Sequence, residues 1–348
     1  MTEDQDKTAR PGGNVERGRT AADDADELPA QPTANRGPDD LSDLPKRSYL
    51  PVLKRTVTEF GDDNVTVWAA ALTYYGVLSI FPGLLLMVTA LRLFGSDTVS
   101  KVTDNVAGIA PGGVGAIIKS AAGSLQHSQQ GTAGVVAIIS LLGALWSASG
   151  YIGVFMQASN AIYDVPEGRP IWKTIPIRLG VTVVTGILLT VAALMVVFTG
   201  PLAEQLGRAL GIGSAAVTAW NIVKWPVLVV IVSLLFAILY WASPNARHGG
   251  FRWVSPGGVV AVVIWLVASA AFAFYVANFG SYNRTYGSLA AVILFLVWLW
   301  ISNIAILLGA EFDAEMQRSR AIQAGHPETD EPYMELRDTR KLDTRDAS

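Results

Sequence analysis

Residues able to do chemistry are few in this chain, and most sit inside or beside apolar runs. Thr73, Tyr74, Tyr75 and Ser79 interrupt the first such run, and Pro82 follows. A proline removes one backbone hydrogen bond, so a helix here is expected to kink near Leu78 and can line a cavity with hydroxyls. The same residues can equally pack helices together. Gln157, Asn160 and Asp164 recur at i, i+3, i+7 and would form one polar stripe, either a hydrophilic vestibule or ordinary capping at a helix end. Asn303 lies in the last apolar run, which closes on Glu311, Asp313 and Glu315. Such groups are costly at membrane depth unless paired or wetted. Glu311 at a helix C-terminus would oppose the helix dipole, so a partner is expected among Arg55, Arg178 and Arg252. A structural ion pair and proton or substrate coupling are the two roles open to it. Arg284 shares a short turn with Tyr282, Asn283 and Tyr286, and suits a phosphate head group or an interface anchor.

Catalytic constellations are not evident. The three histidines, His127, His248 and His326, are far apart and join no His-x-x-x-His pair, so no metal site is expected. There are no cysteines, hence no thiolate ligand, disulfide or cysteine nucleophile. Neither a phosphate-binding Gly-x-x-x-x-Gly-Lys nor a Gly-x-Ser-x-Gly elbow occurs. No catalytic, metal-binding or cofactor-binding residue is assigned, and an enzyme is not expected.

The elements that must position these residues follow from charge and hydropathy. Of 348 residues, 51% are hydrophobic and 16% charged, against about 25% charged in soluble domains. Residues 1–47 carry 18 charges and residues 318–348 carry 13, which leaves 24 for the 270 residues between. So few charges cannot cover a soluble body of that size, and lipid is the expected surroundings. The fold class is therefore all-α, a polytopic transmembrane bundle of about six spans. The spans are expected at Val65 to Leu91, within Thr132 to Tyr163, and at Leu179 to Gly200, Trp225 to Ala242, Gly257 to Phe279 and Ser288 to Ala310. The fourth is short unless its helix begins near Trp220 and includes Lys224. Ser255-Pro256 fits an N-cap followed by proline at the first helical position. Ser96 to Gln130 and Pro201 to Gly211 read as amphipathic external loop helices.

Residues 1–47 and 318–348 read as disordered cytoplasmic tails around a transmembrane domain at 48–317. No cleavable signal is seen. Lys and Arg near the span ends number eleven on one side and six on the other, which places both termini in the cytoplasm. The mixed-charge tails and net charge of −3 give no basic surface, so no nucleic-acid partner is expected.

Several runs together carry a family likeness. Ala69-Ala70-Ala71-Leu72-Thr73-Tyr74-Tyr75 with Ser79-Ile80-Phe81-Pro82, Pro244-Asn245, Tyr286-Gly287-Ser288-Leu289, and Trp298 through Leu308-Gly309-Ala310-Glu311 occur in that order. Over about residues 50–316 the chain resembles the YihY/BrkB family of bacterial inner-membrane proteins, formerly labelled ribonuclease BN. The resemblance implies a six-span plasma-membrane protein surrounded by lipid, with transport of a lipid or other amphipathic cargo as one proposal for relatives. It carries over no catalytic residue. A structural protein recruiting partners through its tails, or a membrane enzyme using Glu311 or Asp164, are the alternatives.

Overall fold

The computed structural model describes residues 48–92, 133–198, 203–204, 208, 213–248, 255–278 and 289–342. Among them are seven long helices: α1 (Tyr49–Asp62), α2 (Val65–Arg92), α3 (Ala133–Ile162), α4 (Ile171–Val197), α5 (Ser214–Ala242), α6 (Pro256–Asn278) and α7 (Leu289–Gln323). Helices α2 to α7 fall on the six apolar stretches. Over the described residues, α4, α5, α6 and Val292–Gln323 of α7 are long and apolar enough to cross a membrane, and Val65–Ile80 of α2 is a shorter apolar helix. The outward faces remain apolar: Val183, Ile187, Val229, Val263, Val267 and Phe274 are exposed. Water would not tolerate so continuous an apolar surface, whereas hydrocarbon does. This is a helical membrane bundle.

The helices meet around Val65, Ala69 and Leu72 of α2, Phe155 and Met156 of α3, Tyr240 of α5, and Leu307 and Ala310 of α7. Backbone proximity is closest where α6 crosses α7. A Cβ on Gly309 would stand 2.5 Å from the Gly257 carbonyl oxygen, and one on Gly257 would stand 2.0 Å from that of Gly309. Only hydrogen fits at either place. The approach delivers the Gly257 N–H to Asp313 Oδ1 at 2.6 Å, while Ser255 Oγ accepts the Gly258 N–H at 2.9 Å. Two otherwise orphaned N–H groups of α6 are thereby satisfied, and Pro256 has none to satisfy. The N-cap expected from Ser255-Pro256 is present.

Four features bear on the sequence expectation. Helix α5 begins at Ser214 and includes buried Lys224, whose Nζ donates to Asn221 Oδ1 at 3.1 Å. Helix α3 stops at Ile162, and Asp164 lies beyond it with a left-handed φ of 50°, so the proposed polar stripe is broken before its last member. Helix α2 continues through Pro82 to Arg92, in keeping with the span expected from Val65 to Leu91. Helix α7 does not end near residue 310. Its 35 residues extend ~52 Å at ~1.5 Å each, well beyond a ~30 Å hydrocarbon layer.

The emergent part of α7 is not a tail. Residues 311 to 316 are all buried, with Phe312 and Met316 packed on Val52 of α1. The following segment folds back, pairing Leu336 with Ala246 in an antiparallel bridge. Residues 318–342, expected as solvated chain, are thus packed structure, because their charges find partners on α1, on α4 and in the segment after α5. The amphipathic stretch Ser96 to Gln130, Arg284, and nearly all of Pro201 to Gly211 lie outside the described residues.

Candidate functional site

Two polar clusters lie where α3 ends and α7 emerges. The first is centred on Asn245, which is fully buried. Its backbone N–H donates to Asn160 Oδ1 at 2.7 Å, and its Nδ2 donates to the Pro166 and Asp338 carbonyls at 3.0 and 2.9 Å. Its Oδ1 accepts the Asp338 N–H at 3.2 Å. Asn160 Nδ2 in turn donates to Glu167 Oε2 at 2.9 Å. Buried Arg169 grips both Glu167 oxygens, through Nε at 2.8 Å and Nη2 at 2.7 Å, and also reaches the Ser243 carbonyl at 2.8 Å. Lys173 and Arg340 close on Asp338 at 2.7 and 3.0 Å. Burial pushes Glu167 up, but the Arg169 guanidinium and the Asn160 amide outweigh it and hold the carboxyl below its usual range. Arg340 and Lys173 hold Asp338 well down in the same way. The segment after α7 can lie this close only because residue 168 is glycine: a Cβ there would stand 2.0 Å from the Asp338 carbonyl oxygen. Every donor named in this clasp has an acceptor.

The second cluster does not close. Glu311 is only 1% exposed, and its Oε2 is buried with no hydrogen-bond partner. Asp63 is the acid whose charge bears on it most. Asp63 occupies the break between α1 and α2, where Asn64 takes a left-handed φ of 53°, a conformation its short polar side chain tolerates. Burial pushes the Asp63 carboxyl up to about 6, the Glu311 contact opposes this, and the charges of Glu59, Asp62 and Glu331 add to it. Burial likewise raises Asp164 to about 7, with Glu331, Asp63 and Glu59 adding and Arg318 opposing. Asp164 itself is exposed to solvent. The Tyr163 phenol is pushed well up by burial and by Asp313 and Glu311.

Arg55 and Arg318 nearby bond to other acids, and Arg318 Nε is left buried without a partner. Arg55 pairs with Glu315 and donates to Ser319 Oγ at 2.5 Å. Arg318 Nη1 bonds Glu59 at 2.9 Å and Glu315 at 3.3 Å, and its guanidinium lies over the Tyr333 ring at 4.5 Å. The partners expected for Glu311 are therefore corrected: Arg55 serves Glu315, and Arg178 Nε donates to the Ser149 carbonyl and hydroxyl at 2.7 and 2.9 Å. Arg252 lies outside the described residues. The dipole argument also lapses, since Glu311 is twelve residues from the end of α7.

The remaining candidates are scattered. Asn303 joins three helices, donating from Nδ2 to Thr73 Oγ1 at 3.0 Å and accepting from the Tyr151 hydroxyl at 3.0 Å. Ser79 donates back to the Tyr75 carbonyl at 2.7 Å. Tyr75 packs over Gly150 and meets Tyr74 edge-on at 5.2 Å between centroids, but Tyr74 is 62% exposed on the outer face. Gln157 is exposed, with its amide turned to its own helix at Gly153, and Asn160 is held in the clasp. Tyr74, Tyr75, Gln157 and Asn160 do not share a groove.

The family described as virulence factor BrkB matches residues 56–333. The chain belongs to the BrkB family. A ribonuclease-like protein of Bacillus subtilis (strain 168), YfkH, is 30% identical over 271 residues, covering 74% of this chain and 92% of the relative. The UPF0761 membrane protein RSc1559 of Ralstonia nicotianae is 27% identical over 263 residues, and the chain spans 56% of that longer protein. A UPF0761 membrane protein of Alteromonas mediterranea is 29% identical over 269 residues, 84% of its length. No solved structure matches the chain.

Within this BrkB-family chain, the residues that the sequence marked become intelligible one by one. Asn245, noted only as part of a motif, is the hub of the clasp. Gly309 and Glu311 are neighbours with different tasks, close approach and charge. Asp63 and Arg169 were not singled out; an Asp-Asn pair after an amphipathic turn was the one local sign of the α1–α2 break. Among the described residues, no group of three or more acids and histidines could hold a metal.

Proposed function

We propose that this BrkB-family membrane protein moves or binds a lipid or other amphipathic cargo, with the Asp63–Glu311 cluster as its working site. The observation that supports this reading is the buried, incompletely bonded carboxyl of Glu311 on the helix that emerges from the membrane span. A fold selected for stability alone would pair or replace such a group, because leaving one buried charge unpartnered costs about 3–5 kcal/mol. Glu311 stands at the end of the last span, where an ionisable group is a candidate for a substrate, ion or proton pathway. The apolar outer faces of α4 to α6 suit a cargo with hydrocarbon parts. On the Lys and Arg count, the cluster faces the cytoplasm of a bacterial plasma membrane. An acidic cluster repels the phosphates of RNA, which counts against a nuclease role here.

The test is a lipid-movement assay in proteoliposomes carrying labelled phospholipids. The wild-type protein should accelerate transfer across the bilayer, and Glu311→Gln should lose at least tenfold while remaining folded. Wild-type vesicles no faster than protein-free ones, over a broad panel of lipids and amphipathic solutes, would remove the reading.

A further inference from the structure

Helix α1 carries three faces of different kinds. Val52, Arg55 and Glu59, at i, i+3 and i+7, turn toward the emergent part of α7. Val52 packs on Phe312 and Met316, Arg55 pairs with Glu315, and Glu59 accepts from Arg318 at 2.9 Å. The stripe beside it has no cover within the chain. Leu50, Leu53 and Val57, again at i, i+3 and i+7, are each more than half exposed, with Tyr49 open next to them. Lys54, Thr58 and Asp62, at i, i+4 and i+8, make the third, polar edge, and all three are exposed.

Two contacts fix where this helix lies. Val52 packs not only on α7 but also against Val260, the fifth residue of α6. At the other end, only Asp63 and Asn64 separate α1 from Val65, the first residue of α2. Both ends of α1 therefore stand where apolar helices begin, and the helix runs across the mouth of the bundle instead of out into water. A helix so placed, apolar on one stripe and cationic beside it, has the composition of an interfacial membrane helix. We infer that α1 is an in-plane lipid-binding helix, with Leu50, Leu53 and Val57 seated among the acyl chains of the adjacent leaflet and Lys54 on anionic head groups.

The charges suit that occupant. Residues 44–58 hold Lys46, Arg47, Lys54 and Arg55 and no acid. Lys54 borders the apolar row, where its stem lies on hydrocarbon while the ammonium rises to the phosphates. Glu59, the first acid of the helix, is turned inward and answered by Arg318. A second copy of the chain is a poorer occupant. Stable protein interfaces bury about 1,200–2,000 Å², and one row of three aliphatic side chains offers a small part of that. Because the lipid seat and the α7 contacts share one helix, anionic lipid should also stabilise the folded bundle. None of this depends on cargo movement.

The experiment uses the full chain in lipid nanodiscs. The sequence has no cysteine, so a single introduced cysteine takes a nitroxide label at one place only. In discs of mixed phosphatidylglycerol and phosphatidylcholine, labels on Leu50→Cys, Leu53→Cys and Val57→Cys should be relaxed more by oxygen than by a water-soluble nickel chelate. Thr58→Cys and Asp62→Cys should show the reverse. Nickel relaxing all five labels overturns the inference, because α1 would then stand in water. So does spin–spin broadening on the apolar row that vanishes on dilution with unlabelled protein, since a second copy would then cover it. Melting temperature should be several degrees higher in the mixed discs than in phosphatidylcholine alone, and Lys54→Glu should remove at least half of the gain. Equal melting in both membranes, or the same gain from added inorganic phosphate, overturns the head-group contact. Labels seated in lipid on a protein that moves none would retire the cargo reading and leave this one standing.

Discussion

The clasp around Asn245 and the carboxyl pair of Asp63 and Glu311 use the same residue types at neighbouring places, yet one closes its bonds and the other does not. In the clasp, each acid faces a guanidinium or ammonium, and the Asn245 side chain spends both ends on backbone. In the pair, an acid faces an acid, and the adjacent cations are tied to other carboxylates. Satisfied buried networks rigidify; incomplete ones are held at a cost and respond to their surroundings. The first cluster reads as fastening, the second as responsive.

The largest effect should come from cutting the fastening. Asn245→Ala strands two carbonyls and an N–H at once, and should cost about 3 kcal/mol or more. It would appear as a melting temperature lower by about 6–12 °C in detergent, with new protease cuts after residue 323. An unchanged melting point would break the comparison. Next, Gly309→Val should cost roughly 1–3 kcal/mol by overpacking, because its Cβ would press on the Gly257 carbonyl and withdraw that N–H from Asp313.

The two clusters should also respond to pH with opposite sign. Asp63 and Asp164 lie above their usual 3.8, at about 6 and about 7. Their contribution to stability is full below 3.8 and is lost as pH rises through 6 to 7. Asp338 and Glu167 are held down, so theirs is present above the ordinary values 3.8 and 4.5 and lost as pH falls through the lowered ones. Melting temperature should thus decline from mildly acid to mildly alkaline buffer. Glu311→Gln should flatten that decline and raise stability at the alkaline end, while Asn245→Ala leaves the slope unchanged. The smallest effect belongs to Arg247, whose side chain is 71% exposed beside Glu335. Its replacement by Ala should change stability by less than about 1 kcal/mol.

What the sequence disclosed follows from how far each signal reaches. Six apolar stretches, and the Ser255-Pro256 start of α6, are local patterns that need no tertiary knowledge. Glu311 stood out because an acid after an apolar run is conspicuous. Its partner did not, because Asp63 lies far away in the chain and looks like any acid at a turn. The segment to residue 342 was misjudged for a related reason: composition counts charges but not the partners waiting for them. Lys173 and Arg340 make Asp338 an internal residue, and nothing in the local sequence announces that pairing. The Gln157, Asn160, Asp164 stripe failed because a turn at Asp164 intervenes, which periodicity alone does not detect.

The fold-back after α7 has a practical corollary for anyone making this protein. Hydropathy invites a cut near residue 318, where the apolar run is well past and the chain turns ionic. Such trimming would discard the acceptor of Lys173 and the covering over Gly168, leaving a raw end on the bundle. Purification handles on this side belong after Leu342, the last residue of the described segment. A shortened version that aggregates would report the loss of a buckle, not a defect in the helices it fastened.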